Sequence, residues 1–212
     1  NTHGCTIPRG WPRTYPNFVT MEAVRGAELY GYHKFPPNAV WLNATYPFTR
    51  NVIGPMDYTP VTFTDYQEAS KRMTSHAHEL ALSVVFESGI LHLADRIEGY
   101  RSVTPEVLEF LKEVPVVWDE TYFLGGYPSK DITIAREKNG IFYVGSINGE
   151  MQDKISEFKP DFLGEGTCKF YLLKDGDDSR SFELDTMQVT SDGMITIPVL
   201  PGGGYAGIFK RE

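Results

Sequence analysis

The segment from His3 to Glu28, HGCTIPRGWPRTYPNFVTMEAVRGAE, gathers side chains that are costly to place casually: Arg9, Trp11, Arg13, Tyr15, Asn17, Glu22, Arg25 and Glu28. Pro8, Pro12, Gly4 and Gly10 break regular structure at its start, so a fixed, irregular loop is expected. Loops held on a rigid scaffold tend to carry binding and catalytic groups; the competing reading is a surface loop with a solvated charge mixture. Asp57 is a second candidate. Just beyond a strand ending at Gly54-Pro55, it would stand where α/β barrels carry their chemistry, or else form an Asx-turn. His76 and His78 are spaced i, i+2 and do not share a helix face, so they make no metal box. With Glu79 they are expected to cap a helix or face solvent. Cys5 and Cys168 lie far apart, without CxxC or metal-ligand spacing, and read as two free buried thiols.

Composition sets the bounds. The 212 residues are 41% hydrophobic and 13% aromatic, enough for a real core in one large domain or two small ones. A net charge of -8 and the absence of any basic patch exclude a nucleic-acid partner. No apolar run approaches the roughly 18 residues that would suggest a membrane span, and no membrane partner is expected. The chain opens on Asn1-Thr2 rather than Met, which suggests that it begins inside a longer protein.

The elements that must position these residues differ along the chain. Glu22 to Tyr30 reads as a short helix with Thr20 as N-cap, His33 to Pro37 as a turn, and Asn51 to Gly54 as a strand. Ser75 to Arg96 is the clearest helix, with Ala77, Leu80, Ala81, Val84, Val85, Leu91 and Leu93 near a 3.6-residue period. A second helix runs from Glu106 to Glu113, with Thr104 at the N-cap and Pro105 in the first turn, and Pro115 ends it. Then the pattern changes to short alternating runs: Asp131–Arg136, Ile141–Ile147, Cys168–Lys174, Phe182–Val189, Met194–Val199 and Tyr205–Lys210. Turn signals such as Lys138-Asn139-Gly140 and Ser191-Asp192-Gly193 separate them, as in an antiparallel β-sandwich. The fold class is therefore α/β plus all-β, with a boundary near Val114 to Val116. Residues 1–114 hold two or three βα units, too few to close a barrel of eight. They are expected to be the last part of a (β/α)8 barrel, and residues 115–212 a C-terminal β-sandwich.

Five stretches carry a specific resemblance: HGCTIPRGWPRTYPN, the EAVRGAE that follows, NATYPFTRNVIGPMDYTP, HELALSVVFESG and VPVVWDETYFLGGYP. In collinear order up to about Asn148, the chain resembles glycoside hydrolase family 97. That family comprises calcium-dependent α-glucosidases and α-galactosidases, largely secreted to the periplasm by Bacteroides-like gut bacteria. Its members have an N-terminal β-sandwich, a (β/α)8 barrel and a C-terminal β-sandwich. The resemblance implies an oligosaccharide or α-glycoside substrate and a partner in the missing N-terminal part of the same enzyme.

Residue by residue, Glu28 matches the family's general acid and Glu22 a calcium-ligating glutamate, with Glu28 also at the ion. His3, Trp11 and Arg13 would contact sugar hydroxyls. Gly4 is the departure: the inverting α-glucosidase branch has a glutamate directly after the histidine, whereas the retaining branch has glycine. The retaining branch takes its aspartate nucleophile from an earlier barrel strand, so the chain resembles a retaining α-galactosidase whose nucleophile lies upstream of Asn1. An inverting α-glucosidase-type enzyme, or a non-catalytic carbohydrate-binding or structural module, remains the alternative. On one helix, Glu22 and Glu28 would diverge by about 120°, at roughly 100° per residue. To meet at one ion, the backbone near Gly26 must therefore be irregular, or Glu22 must precede the helix. Trp118 is assigned to packing at the domain junction.

Overall fold

The computed structural model describes residues 1–66 and 70–211. Eight antiparallel strands form its C-terminal half: β1 (Glu120–Tyr127), β2 (Asp131–Lys138), β3 (Ile141–Asn148), β4 (Lys154–Phe158), β5 (Thr167–Asp175), β6 (Phe182–Thr190), β7 (Ile195–Val199) and β8 (Gly204–Arg211). Six of them make one sheet in the order β1-β2-β3-β8-β5-β6, and β4 pairs with β7 in a separate ribbon. Asn139 and Gly140, at φ 52° and 79°, supply the left-handed pair that a tight two-residue hairpin between β2 and β3 requires. The six predicted strands are present within a residue or two; β1 and β4 have no counterpart among them.

The two faces of the large sheet are covered differently, so the domain is not a sandwich of two comparable sheets. On one face Val144, Phe170, Leu172 and Phe209 pack against Phe158, Ile195, Ile197 and Val199 of the ribbon. Phe170 and Phe209 stack with centroids 4.2 Å apart. On the other face Tyr143, Ala206 and Ile208 meet Leu80, Val84, Val107 and Phe110 of the helical part. That part contains α1 (Trp11–Thr14), α2 (Pro36–Asn43), α3 (His76–Val85), α4 (Ile97–Arg101) and α5 (Pro105–Glu113).

Helix α3 is the centre of the packing, and all ten of its residues are buried. Ser75 caps it, its side chain accepting from the His78 N–H. It lies close on the sheet because β3 and β8 offer glycine beneath it. A Cβ on Gly145 would sit 3.0 Å from the Ala81 carbonyl oxygen, and one on Gly204 2.9 Å from the His78 Cα. The helix stops at Val85, not at Arg96 as its periodicity suggests. The buried Arg136 donates to the carbonyls of Val84 (2.7 Å) and Val85 (3.2 Å), closing the helix end.

Three further expectations are corrected. His76, His78 and Glu79 do not face solvent but are buried. One side of each finds a partner inside: His76 Nε2 meets the Phe63 carbonyl at 3.0 Å, Asn43 meets His78 Nε2 at 3.0 Å, and Tyr30 donates to Glu79 at 2.6 Å. Asn51–Ile53 is a 3-10 turn rather than a strand, leaving Val52 and Ile53 exposed. The cause is Arg50, whose buried guanidinium collects the carbonyls of Met21, Glu22, Gly54 and Pro55, while Asn51 bridges to the Glu87 backbone. Finally, Glu22–Tyr30 is not a helix capped by Thr20. A 3-10 turn begins only at Ala27 and ends at Gly31, and the Thr20 hydroxyl instead meets Ser88 at 2.9 Å. The His33–Pro37 turn leads directly into α2, whose start the sequence pattern did not mark.

Candidate active site

Glu22 and Glu28 reach the same place because no helix joins them. Met21 sits in an extended segment with isolated parallel bridges to Thr2 on one side and Met56 on the other. The chain then reverses through Ala23, which has a left-handed φ of 50°, and Glu28 is carried on the Ala27–Gly31 turn. Gly26 is required there: a Cβ would fall 2.4 Å from both Glu28 Oε2 and the Tyr58 carbonyl oxygen. The turn is pinned by Ala27 N–H donating to that same Tyr58 carbonyl at 3.0 Å.

His3 stands between the two acids. Its Nε2 lies 3.2 Å from Glu22 Oε1 and 3.9 Å from Glu28 Oε1, and its Nδ1 lies 3.0 Å from Asp57 Oδ2. Burial pushes the His3 pKa down, but the Asp57 hydrogen bond and the charges of Glu22, Glu28 and Asp57 outweigh it, leaving a net rise. Glu22 is mostly buried, with 12% of its side chain exposed, and Glu28 is open at 34%. The Gly4 N–H donates to Glu22, and Thr59 donates to Glu28 Oε2 at 2.9 Å.

Asp57 directly follows the bridged Met56 and is 1% exposed. Its carboxylate accepts from Asn1 and meets the Nδ1 atoms of both His3 and His92, the latter at 2.9 Å. Burial raises its pKa, and the three hydrogen bonds overcome that, so the group is held below the usual carboxylate range. It is thus no mere turn residue. His92 was missed from the sequence, where it falls in the tail of the presumed long helix and nothing local marks it.

The other expected contacts are not gathered with these. Trp11 and Arg13 lie on α1, where Trp11 is half exposed and packs edge-on against Phe18 at 5.8 Å. Arg13 borders a different cleft with Arg9, Phe18 and Ile53. Trp118 packs against Tyr143 and lies under the Arg136 guanidinium, as its assignment to packing requires. The two cysteines are free; Cys168 is buried and Cys5 only partly so.

His3, Glu22 and Glu28 each bring one donor atom to within 4.8 Å of the others. Two carboxylates at one point, with no lysine or arginine paired to either among the described residues, suit a divalent cation. Calcium takes six to eight oxygens, so Glu22 and Glu28 fit as part of such a shell, and the His3 nitrogen is the donor that calcium would not choose.

Comparison with known proteins gives this geometry a family. Residues 117–210 match the family model for the glycosyl-hydrolase 97 C-terminal, oligomerisation domain. A probable retaining alpha-galactosidase of Streptomyces bingchenggensis is 37% identical over 98% of the chain, which covers 31% of that protein. The retaining alpha-galactosidase of Bacteroides thetaiotaomicron is 34% identical over 96% of the chain, covering 32% of its length. The chain therefore spans about a third of these curated relatives. A glycoside hydrolase family 97 enzyme from Pseudoalteromonas sp. strain K8, solved in complex with acarbose, superposes with a TM-score of 0.89 at 30% identity. That match covers 99% of this chain and 34% of the other. With its antiparallel β-domain matching the C-terminal region of these enzymes, the chain belongs to glycoside hydrolase family 97.

Proposed function

We propose that this chain is the C-terminal part of a calcium-dependent retaining α-glycosidase acting on terminal α-galactosides. The observation that carries the reading is the convergence of Glu22, Glu28 and His3 within 4.8 Å on separate backbone segments. Two relatives described as retaining alpha-galactosidases support the substrate class. Residues 1–114 are then the closing units of a (β/α)8 barrel, a reading supported by the parallel bridges Thr2–Met21 and Met21–Met56. An enzyme of this plan needs the rest of the barrel and its nucleophilic aspartate from the part preceding this chain.

In this scheme the nucleophile's carboxylate bonds to the anomeric carbon as the glycosidic C–O bond breaks, and Glu28 gives its proton to the departing oxygen. Glu28 then takes a proton from water as the water oxygen bonds to the anomeric carbon and the aspartate leaves, so configuration is retained. Glu28 is suited to this by its exposure and by Thr59, which fixes one carboxylate oxygen. Glu22 and Glu28 would hold the calcium ion, which supplies positive charge that orients sugar hydroxyls. His3 contacts a hydroxyl from its Nε2 edge, beside Glu22 and Glu28. Gly4, in place of a carboxylate, leaves no base for a directly attacking water on that side.

In the complete enzyme, Glu28→Gln is expected to lower kcat on an aryl α-galactoside by about 10²–10⁴-fold. Near wild-type turnover would overturn the assignment. A second reading, a non-catalytic carbohydrate-binding module, predicts sugar binding by calorimetry without hydrolysis by the complete protein.

A further inference from the structure

We propose that Asp57 is a positioning residue that clamps two imidazoles side by side, and that His92 is a sugar-contacting residue of the same site. The argument deepens the glycosidase reading and rests on it. Asp57 is almost completely buried, yet both its oxygens are turned to histidine: Oδ2 to His3 Nδ1 at 3.0 Å and Oδ1 to His92 Nδ1 at 2.9 Å. An ionised carboxylate only accepts hydrogen bonds, so each ring must carry a proton on Nδ1, and His3, whose Nε2 meets the Glu22 carboxylate, must carry one there as well. The Nε2 edge of each ring is then directed away from Asp57. For His3 that edge faces Glu22 and Glu28. For His92 the side chain is 46% exposed, so a ring tethered at one nitrogen offers the other to a ligand. A rigid buried carboxylate thereby holds His3 Nε2 against the two acids and leaves the His92 Nε2 edge open. That open edge suits a sugar hydroxyl, which can donate to an imidazole nitrogen.

The test uses the complete enzyme with an aryl α-galactoside, and wild type and Glu28→Gln as references. His92→Ala removes one hydroxyl contact made in ground and transition states alike. KM is therefore expected to rise about tenfold with kcat within about threefold. Asp57→Asn keeps one acceptor and replaces the other by a donor, so one ring loses its partner. A KM rise at least as large is expected, and nitrogen-15 NMR of the imidazoles should show one of the two rings leaving the Nδ1–H form. An unchanged KM in His92→Ala overturns the proposal, as does retention of Nδ1–H by both rings in Asp57→Asn. Should Asp57→Asn fail to fold, His92→Ala, altered at a half-exposed side chain, decides the matter alone. If wild type cleaves the substrate and Glu28→Gln does not, while KM in His92→Ala is unchanged, the glycosidase reading stands and this proposal falls. If wild type neither cleaves nor binds an α-galactoside, both fall.

Discussion

At the scale of single residues, the proposed chemistry rests on four groups: His3, Glu22, Glu28 and Asp57. They lie on separate backbone segments and are joined through His3 by contacts that only folding makes. Glu22 is the most informative to alter, because it is mostly buried beside His3 and receives the Gly4 N–H. If Glu22 ligates calcium, the ion stabilises the folded enzyme by mass action, about 2.7 kcal/mol at a hundredfold excess over Kd. Calorimetry with calcium and with a chelator should then show a higher thermal midpoint for the calcium-loaded wild type. Glu22→Gln should remove most of that difference. An identical shift in the variant would remove Glu22 from the ion's shell.

At the scale of elements, α3 and the sheet beneath it decide the architecture. The helix is buried on every side, which an amphipathic pattern does not announce, because hydrophobic period alone cannot tell one covered face from two. The close approach depends on glycine at β8. A methyl group on Gly204 would meet the Ser146 carbonyl oxygen at 2.5 Å as well as the His78 Cα. Gly204→Ala is therefore expected to cost about 1–3 kcal/mol by overpacking, lowering the thermal midpoint by roughly 2–4 °C per kcal/mol for a protein of this size. An unchanged midpoint would mean that helix and sheet are not in contact there. The Ala27–Gly31 turn shows the same dependence on neighbours. Its residues could continue as helix, but Gly26 must lie against the Tyr58 backbone, so the turn begins there and Glu28 is aimed accordingly.

At the scale of the whole molecule, two parts are welded by buried polar groups rather than by apolar contact alone. Asp175 of β5 accepts from Ser75 and from the Leu200 and Gly204 N–H groups. Arg180 forms a two-pronged pair with Asp65 and also takes the carbonyls of Arg72 and Thr74. His76 and His78 lie within this seam, and burial, the largest cause for each, lowers them to about 4 and about 3. The unfolded chain, with histidines near 6.5, binds more protons than the fold below that pH. Stability is therefore fully present above about 6.5 and lost as pH falls toward 4, by up to about 1.4 kcal/mol per pH unit for each histidine. Urea midpoints should fall from pH 7 to pH 5, and His78→Gln should flatten that slope. A midpoint independent of pH across this window would show that the two rings are not held neutral in the fold.

Much of this was legible beforehand. The strand runs between Asp131 and Lys210 follow from period-two alternation and tight-turn residues, which are local properties of the backbone. So does α5, announced by Thr104-Pro105. The family motifs marked Glu22, Glu28 and His3, and a shared ion implied by the resemblance, set against helix geometry, required either an irregular backbone near Gly26 or a Glu22 that precedes the helix. What the tertiary structure decided has a common physical cause, the satisfaction of buried polar groups by distant partners. Arg136 ends α3 well before its apolar period does, and Arg50 holds Asn51–Ile53 in a turn where the composition suggests a strand. Asp57 draws in His92 from 35 residues away. Local preferences are worth tenths of a kcal/mol per residue, whereas an unpaired buried polar group costs about 1–3 kcal/mol, and the larger quantity prevails wherever the two disagree.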